Sequence, residues 1–335
     1  HRRRRLLRSG RRARRMLLTS IFAGRRRENG RTVSRTVRQA RSRRREPARG
    51  WAAILVAAAA AALLALPASS AAGLRVNGST TVNPVVVEAA EALRADEGSE
   101  ITVDTAGGSS GGIAAVAEGR AEIGMASRPL TEEDRRRFPG VDFRSVTVGL
   151  DALALVVSRD VWEGGVRSVS PDEIRALYEG RIADWSELGG PDRRVVFFDK
   201  EPGRGTWEVF ARWLYGDLAK VPLVSLPTVG SNEEARSKVA RTRGAITQLS
   251  AAWADGVETF ALALELGDGR TVTPTPEAVA DGSYPLGRPL LIVTDGPPSP
   301  EATRLIDLLL SSRGREIVAR HGFLVPQASR EAPAP

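Results

Sequence analysis

The chain has 335 residues, no Cys, two His, and 49 Lys and Arg against 40 Asp and Glu, for a net charge of +9. These counts exclude disulfides and a lipid-bearing Cys, and they argue against His-based metal sites and a Ser-His-Asp triad. The charge is unevenly spread: residues 1–50 hold 20 Arg and 2 Glu, net +18, which leaves −9 for residues 51–335.

The basic arm of residues 1–50 runs directly into WAAILVAAAAAALLALPASSAA, with no charge between Arg49 and Arg75. A positive segment, an apolar segment and then small residues form the layout of a secretory signal, so 51–72 reads as an export segment cleaved near Ala72. That layout predicts a periplasmic or secreted protein and argues against a nucleic-acid-binding arm. Left uncleaved, the same run is long enough to anchor the chain in a membrane.

Beyond it, strand-like and helix-like runs alternate. LRVNGS is a strand, followed by a helix with Asn83 as N-cap and Pro84 in its first position. ITVD leads through Gly107–Gly112 into a second helix, and AEIGMAS leads into TEEDRRRF, where Thr131 and Asp134 form a capping box. The run VTVGLDALALVVS suits a strand buried on both faces, and Ser170 to Glu173 opens another capped helix. RRVVFF precedes the Gly203 loop and the helix TWEVFARWLYG; GAITQLS, TFALALEL and PLLIVT follow, and a single helix runs from Pro300 to about Arg320. His321 falls at the end of that helix, where capping suits it. This order predicts an α/β fold of mostly parallel sheets flanked by helices.

Four loops carry the chemistry: Ser79-Thr80-Thr81, Ser109-Ser110-Gly111, Ser127-Arg128 and Arg204-Gly205-Thr206, with Lys200 just before the last. Each follows a strand and opens a helix, and helix starts combine unpaired N–H groups, a positive dipole end and short hydroxyl donors. Convergence of these loops would hold a small oxyanion without metal or cofactor. No nucleophile–base pair or metal cluster suggests an enzyme. Trp185, Trp207 and Trp213 read as packing residues, and Arg135 to Arg137 as a solvated helix face.

The stretches VNGSTTVNPVVVEAAEAL, TAGGSSGGIAAVAEGRAEIGMASRPLTEED, IRALYEGRIADWSELGG, SYPLGRPLLIV and HGFLVP, with the Gly-x-Gly-Thr loop, resemble the phosphate-binding receptors of ABC uptake systems over residues 74–326. The resemblance implies a two-lobed periplasmic-binding-protein fold, with 73–150 and 287–330 in lobe 1 and 151–286 in lobe 2. It implies crossings near Gly149–Leu155 and Tyr284–Pro289, a monomer, and partners in inorganic phosphate or a related oxyanion and a membrane ABC permease. The family's ligand contacts carry over to Thr80, the Thr81 N–H, Ser109 with the N–H groups of Ser110 and Gly111, Ser127, Gly205 and Thr206. Arg128 stands where well-known members have an Asp that accepts the phosphate proton, Lys200 where they have Arg, and Arg204 where they have Ser. Arg128 either touches the anion or pairs with an acid such as Glu132, and Glu201 is either an acceptor or the partner of Arg204. A site without a carboxylate predicts weak discrimination between phosphate and sulfate. A membrane-retained sensory or scaffold protein of the same fold, binding a sulfate-like anion or none, is the alternative.

Overall fold

The structure is a computed structural model that describes residues 73–326. The arm of 1–50, the apolar segment of 51–72 and its cleavage point lie outside the described residues. In chain order the elements are β1 (Leu74–Gly78), α1 (Asn83–Glu97), β2 (Ile101–Asp104), α2 (Gly108–Ala117), β3 (Ile123–Ala126), α3 (Glu132–Arg137) and β4 (Phe143–Ser158). Next come α4 (Arg159–Glu163), β5 (Ser168–Val169), α5 (Pro171–Tyr178), β6 (Val196–Lys200), α6 (Gly205–Tyr215), β7 (Thr228–Val229), α7 (Asn232–Arg241) and β8 (Ala245–Ser250). The chain continues with β9 (Thr259–Ala261), β10 (Ala263–Glu265), β11 (Thr271–Val272), α8 (Pro276–Ala280), β12 (Gly287–Asp295), α9 (Pro300–Leu310) and α10 (Ser312–Arg320).

The α/β alternation builds one long sheet in the order β2-β1-β3-β12-β4-β8-β6-β7, with β9 beside β4. Parallel pairing joins β2, β1 and β3 at one end and β8, β6 and β7 at the other. Between them lie β12 and β4, antiparallel to each other, with Arg288 opposite Asp151 and Leu290 opposite Gly149. These two strands are the crossover segments, and they run side by side. The small sheet β11-β10-β5 stands apart.

Helices cover both faces on each side of the crossovers. Val85, Val86, Ala89, Ala90 and Leu93 give α1 an apolar stripe, which packs with Leu305 and Ile317 of the C-terminal helices against Leu74, Val76 and Ile123. On the opposite face, Ile113 and Val116 of α2 meet Leu291 and Val293. In β4 the alternation separates two cores: Leu153, Leu155 and Val157 join Trp185, Phe197 and Phe210, whereas Ala154 and Val156 join Ala235 and Val239 of α7. Each large side chain so buried contributes about 1.5–3 kcal/mol. The result is the two-lobed architecture the sequence led us to expect.

Local details differ. Val82, not Asn83, is the N-cap of α1, because Ser79 to Val82 already wind into a turn in which the Asn83 N–H donates to the Ser79 carbonyl. The C-terminal helix is two helices: Ser311 sits at ψ 173°, caps α10 by accepting the Gly314 N–H, and interrupts the run. TFALALEL likewise divides, β9 pairing with β4 and β10 with β5. The capping boxes at Thr131/Asp134 and Ser170/Glu173 are both formed.

Candidate functional site

The C-terminal ends of β1, β2, β3, β6 and β7 release the chain into five loops that line one hollow. It is lined by Ser79, Thr80, Thr81, Gly108, Ser109, Ser127, Lys200, Arg204, Gly205, Thr206, Gly230 and Asn232, and its volume is about 10 Å³. This is room for a guest of very few atoms. No Asp or Glu is among the lining residues.

Close approach of the loops depends on missing Cβ atoms. A Cβ on Gly78, which has φ 143°, would lie 2.1 Å from the Met125 carbonyl oxygen. One on Gly205 would lie 2.4 Å from Ser109 Oγ and 2.8 Å from Ser127 Oγ, so α6 abuts the serines of the opposite lobe.

Four helix starts meet here, through Thr81 near α1, Gly108 and Ser109 in α2, Gly205 and Thr206 in α6, and Asn232 in α7. Side-chain caps are absent from α1, α2 and α6, whereas α3, α5, α7, α8, α9 and α10 all have them. The five-residue α4, away from the hollow, is also uncapped. At α6 the N–H groups of Gly205 and Thr206 sit in the first turn, where no intrahelical acceptor exists. The dipoles add positive potential at the same point.

The hydroxyls form a connected set. Ser79 Oγ donates to Ser127 Oγ at 3.0 Å, and the Ser127 N–H donates to Ser109 Oγ at 3.0 Å. Thr206 Oγ1 accepts from Arg288 Nη1 at 2.8 Å. Arg288 is held by Asp151, with Nε and Nη2 donating to Oδ2 at 2.8 and 2.7 Å, and Ser250 donates to Oδ1 at 2.6 Å. Burial pushes the Asp151 carboxyl above the usual carboxylate range, against the pull of Arg288 and Ser250. Lys200 is fully buried and donates to the Gly230 and Ser231 carbonyls at 3.3 and 2.7 Å and to Asn232 Oδ1 at 3.2 Å. Burial, with the Arg204 and Arg288 charges, pushes its ammonium down to about 7.

Comparison with known proteins places this two-lobed, hollow-centred chain. The PBP superfamily domain matches residues 65–313. The chain belongs to this superfamily. It is 27% identical over 255 residues to the phosphate-binding protein PstS of Bacillus subtilis, covering 75% of this chain and 80% of that one. A substrate-binding protein from Clostridium perfringens, described as belonging to a phosphate ABC transporter and solved with bound phosphate, matches with a TM-score of 0.68 at 29% identity. That match covers 76% of this chain and all of the other. An ABC-type phosphate transport receptor from Vibrio cholerae matches with a TM-score of 0.60 at 26% identity, covering 76% and 100%.

In this PBP-superfamily chain, Ser79, Thr80, Thr81, Ser109, Ser127, Lys200, Arg204, Gly205 and Thr206 of the sequence-derived set come together at the hollow. Ser110, Gly111 and Arg128 do not line it. The Ser110 N–H donates to the Gly203 carbonyl at 3.1 Å and the Gly111 N–H to the Gly107 carbonyl at 3.0 Å, so neither amide is free for a ligand. The Thr81 N–H is likewise taken, by Ser79 Oγ at 3.1 Å. Arg128 turns away into a carboxylate nest: Asp134 accepts two of its N–H groups at 2.7 and 2.9 Å, and Glu208 of α6 lies 2.8 Å from Nε. The acids are thus Asp134 and Glu208 rather than Glu132. Glu201 accepts from Arg204 Nε and Nη2 at 3.0 and 2.7 Å and does not line the hollow.

Asn232, Gly108, Gly230 and the supporting Arg288 were missed. For Arg288 a signal existed: Arg288 and Asp151 each interrupt an apolar run that reads as buried, with opposite sign. Asn232 stands directly after the cap Ser231 in a run of polar residues, which carries no signal of its role. Among the described residues, no group of three or more His, Cys, Asp or Glu could hold a metal, and no helix is long and apolar enough to cross a membrane.

Proposed function

We propose that the chain is an extracytoplasmic receptor that binds inorganic phosphate in this hollow and delivers it to an ABC importer, without catalysis. The observation that carries the reading is the donor inventory. A small hollow is lined by six hydroxyl side chains and helix starts beside a buried lysine, with no carboxylate. Phosphate-binding relatives over three quarters of the chain support the same ligand. Thr80, Thr81, Ser109, Ser127 and Thr206 offer hydroxyls, Gly205 and Thr206 offer main-chain N–H groups, and Lys200 and Arg204 supply positive charge. The lobes are 73–150 with 287–330 and 151–286, their relative motion reports occupancy to the permease, and the protein acts as a monomer. The 51–72 segment directs export.

Calorimetric titration of the purified chain with phosphate and sulfate tests the reading. One phosphate per chain is expected. Its advantage over sulfate is expected to be below about tenfold, because a carboxylate acceptor for the phosphate proton, a contact of about 1.5–3 kcal/mol, is missing from the lining. Absence of phosphate binding would refute the function; a preference of a thousandfold or more would refute the acceptor argument.

A further inference from the structure

We propose that Asn232 is a positioning residue that makes the Thr81 hydroxyl an obligate donor to the bound anion. This rests on the anion-binding reading above and names the device that sets the polarity of the site. Thr81 Oγ1 has two lone pairs and one proton. Asn232 Nδ2 donates to it at 3.0 Å and Arg288 Nη2 at 3.4 Å, so both lone pairs are engaged by the protein. Thr81 is 1% exposed and lines the hollow, so its proton is left to the hollow's occupant.

The amide cannot reverse this polarity without loss. Lys200 Nζ donates to Asn232 Oδ1 at 3.2 Å, which fixes the oxygen toward the ammonium and the NH₂ toward Thr81. Lys200 is itself fixed, its other two N–H groups donating to the Gly230 and Ser231 carbonyls. With three donors spent, the ammonium offers none to the anion directly. It acts through the order ammonium to amide, amide to hydroxyl, hydroxyl to ligand oxygen, each bond polarising the next. Asn232 opens α7 and Thr81 follows β1, so the relay also spans the two lobes.

The geometry accounts for a buried polar pair that the direct contacts do not use. It favours a ligand oxygen that accepts only, and a protonated oxygen at that position would meet a donor.

The test is a double-mutant cycle on the full chain, read by calorimetric titration with inorganic phosphate. Thr81→Val and Asn232→Ala should each weaken binding by at least about tenfold, and the double variant should lose little more than the larger single loss. Asn232→Asp keeps the size and the Lys200 contact but has no donor, so Thr81 turns to the new carboxylate. It should bind at least about tenfold more weakly while melting no lower than the parent. Multiplicative losses in the double variant, unchanged affinity in Thr81→Val, or an Asn232→Asp chain that binds as tightly as the parent would each overturn the relay alone. A parent chain that binds neither phosphate nor sulfate would overturn the anion reading, and the relay with it.

Discussion

Substituting Gly205 by Ala separates ligand binding from folding. The added Cβ would sit 2.4 Å from Ser109 Oγ, 2.8 Å from Ser127 Oγ and 3.1 Å from the Ser127 carbonyl oxygen. None of these is an ordinary contact distance for a Cβ, and the first requires a shift of about 1 Å. Ser109 Oγ is not free to move, because it accepts the Ser127 N–H at 3.0 Å and lies 3.4 Å from Ser127 Oγ. Clearing the methyl group therefore turns both hydroxyls off their present bonds. If each gives a hydrogen bond to a charged ligand of about 1.5–3 kcal/mol, the loss is about 3 kcal/mol or more, a weakening of at least about a hundredfold. Folding is affected less. Overpacking costs about 1–3 kcal/mol, offset by up to about 1 kcal/mol from replacing Gly at a helical position whose φ is not positive. Titration with phosphate, paired with thermal melts, reads both quantities. A Gly205→Ala chain that binds phosphate within about threefold of the parent would refute the placement of the ligand against Ser109 and Ser127.

Lys200 gives a pH signature. Its folded value is pushed down to about 7 from the 10.5 of an ordinary lysine, so between those limits the unfolded chain holds a proton the folded chain has lost. This group's contribution to ligand-free stability therefore rises with pH across that window. A bound dianion reverses the shift, so binding at about pH 8 should take up as much as one proton per ligand, seen as a buffer-dependent binding heat. Lys200→Met should abolish that dependence, and a parent chain with no proton uptake would contradict the assignment. Arg128, 4% exposed in its side chain and facing two carboxylates, should act on stability. Arg128→Met leaves Asp134 and Glu208 without their cation and should cost about 3–5 kcal/mol in denaturant unfolding. An unchanged unfolding midpoint together with abolished phosphate binding would instead make Arg128 a ligand contact.

Local chemistry was legible where it is decided within a few residues. The α/β alternation, the capping boxes at Thr131 and Ser170, and a β4 buried on both faces from Val148 onward follow from periodicity and turn residues. The hydroxyl-bearing loops were legible because a strand that ends in Ser-Thr-Thr or Gly-Gly-Ser-Ser and opens a helix leaves few other uses for its donors. Arg128 was not legible, since its direction is set by Asp134 six residues on and by Glu208 from the other lobe. Asn232 and Arg288 escaped for the same reason: their meaning lies in Thr81, 151 and 207 residues away. The break at Ser311 turns on one residue leaving the helical region to cap the next helix, which the apolar pattern of 300–320 does not register.

The most direct measurement is a crystal structure of the protein grown with phosphate. The account predicts one tetrahedral ion in the hollow, within hydrogen-bond distance of Thr81 Oγ1, Ser109 Oγ and the Gly205 or Thr206 N–H, with Arg128 still on Asp134 and Glu208. A phosphate held elsewhere, or one bound through Arg128 with the hollow collapsed, would contradict it.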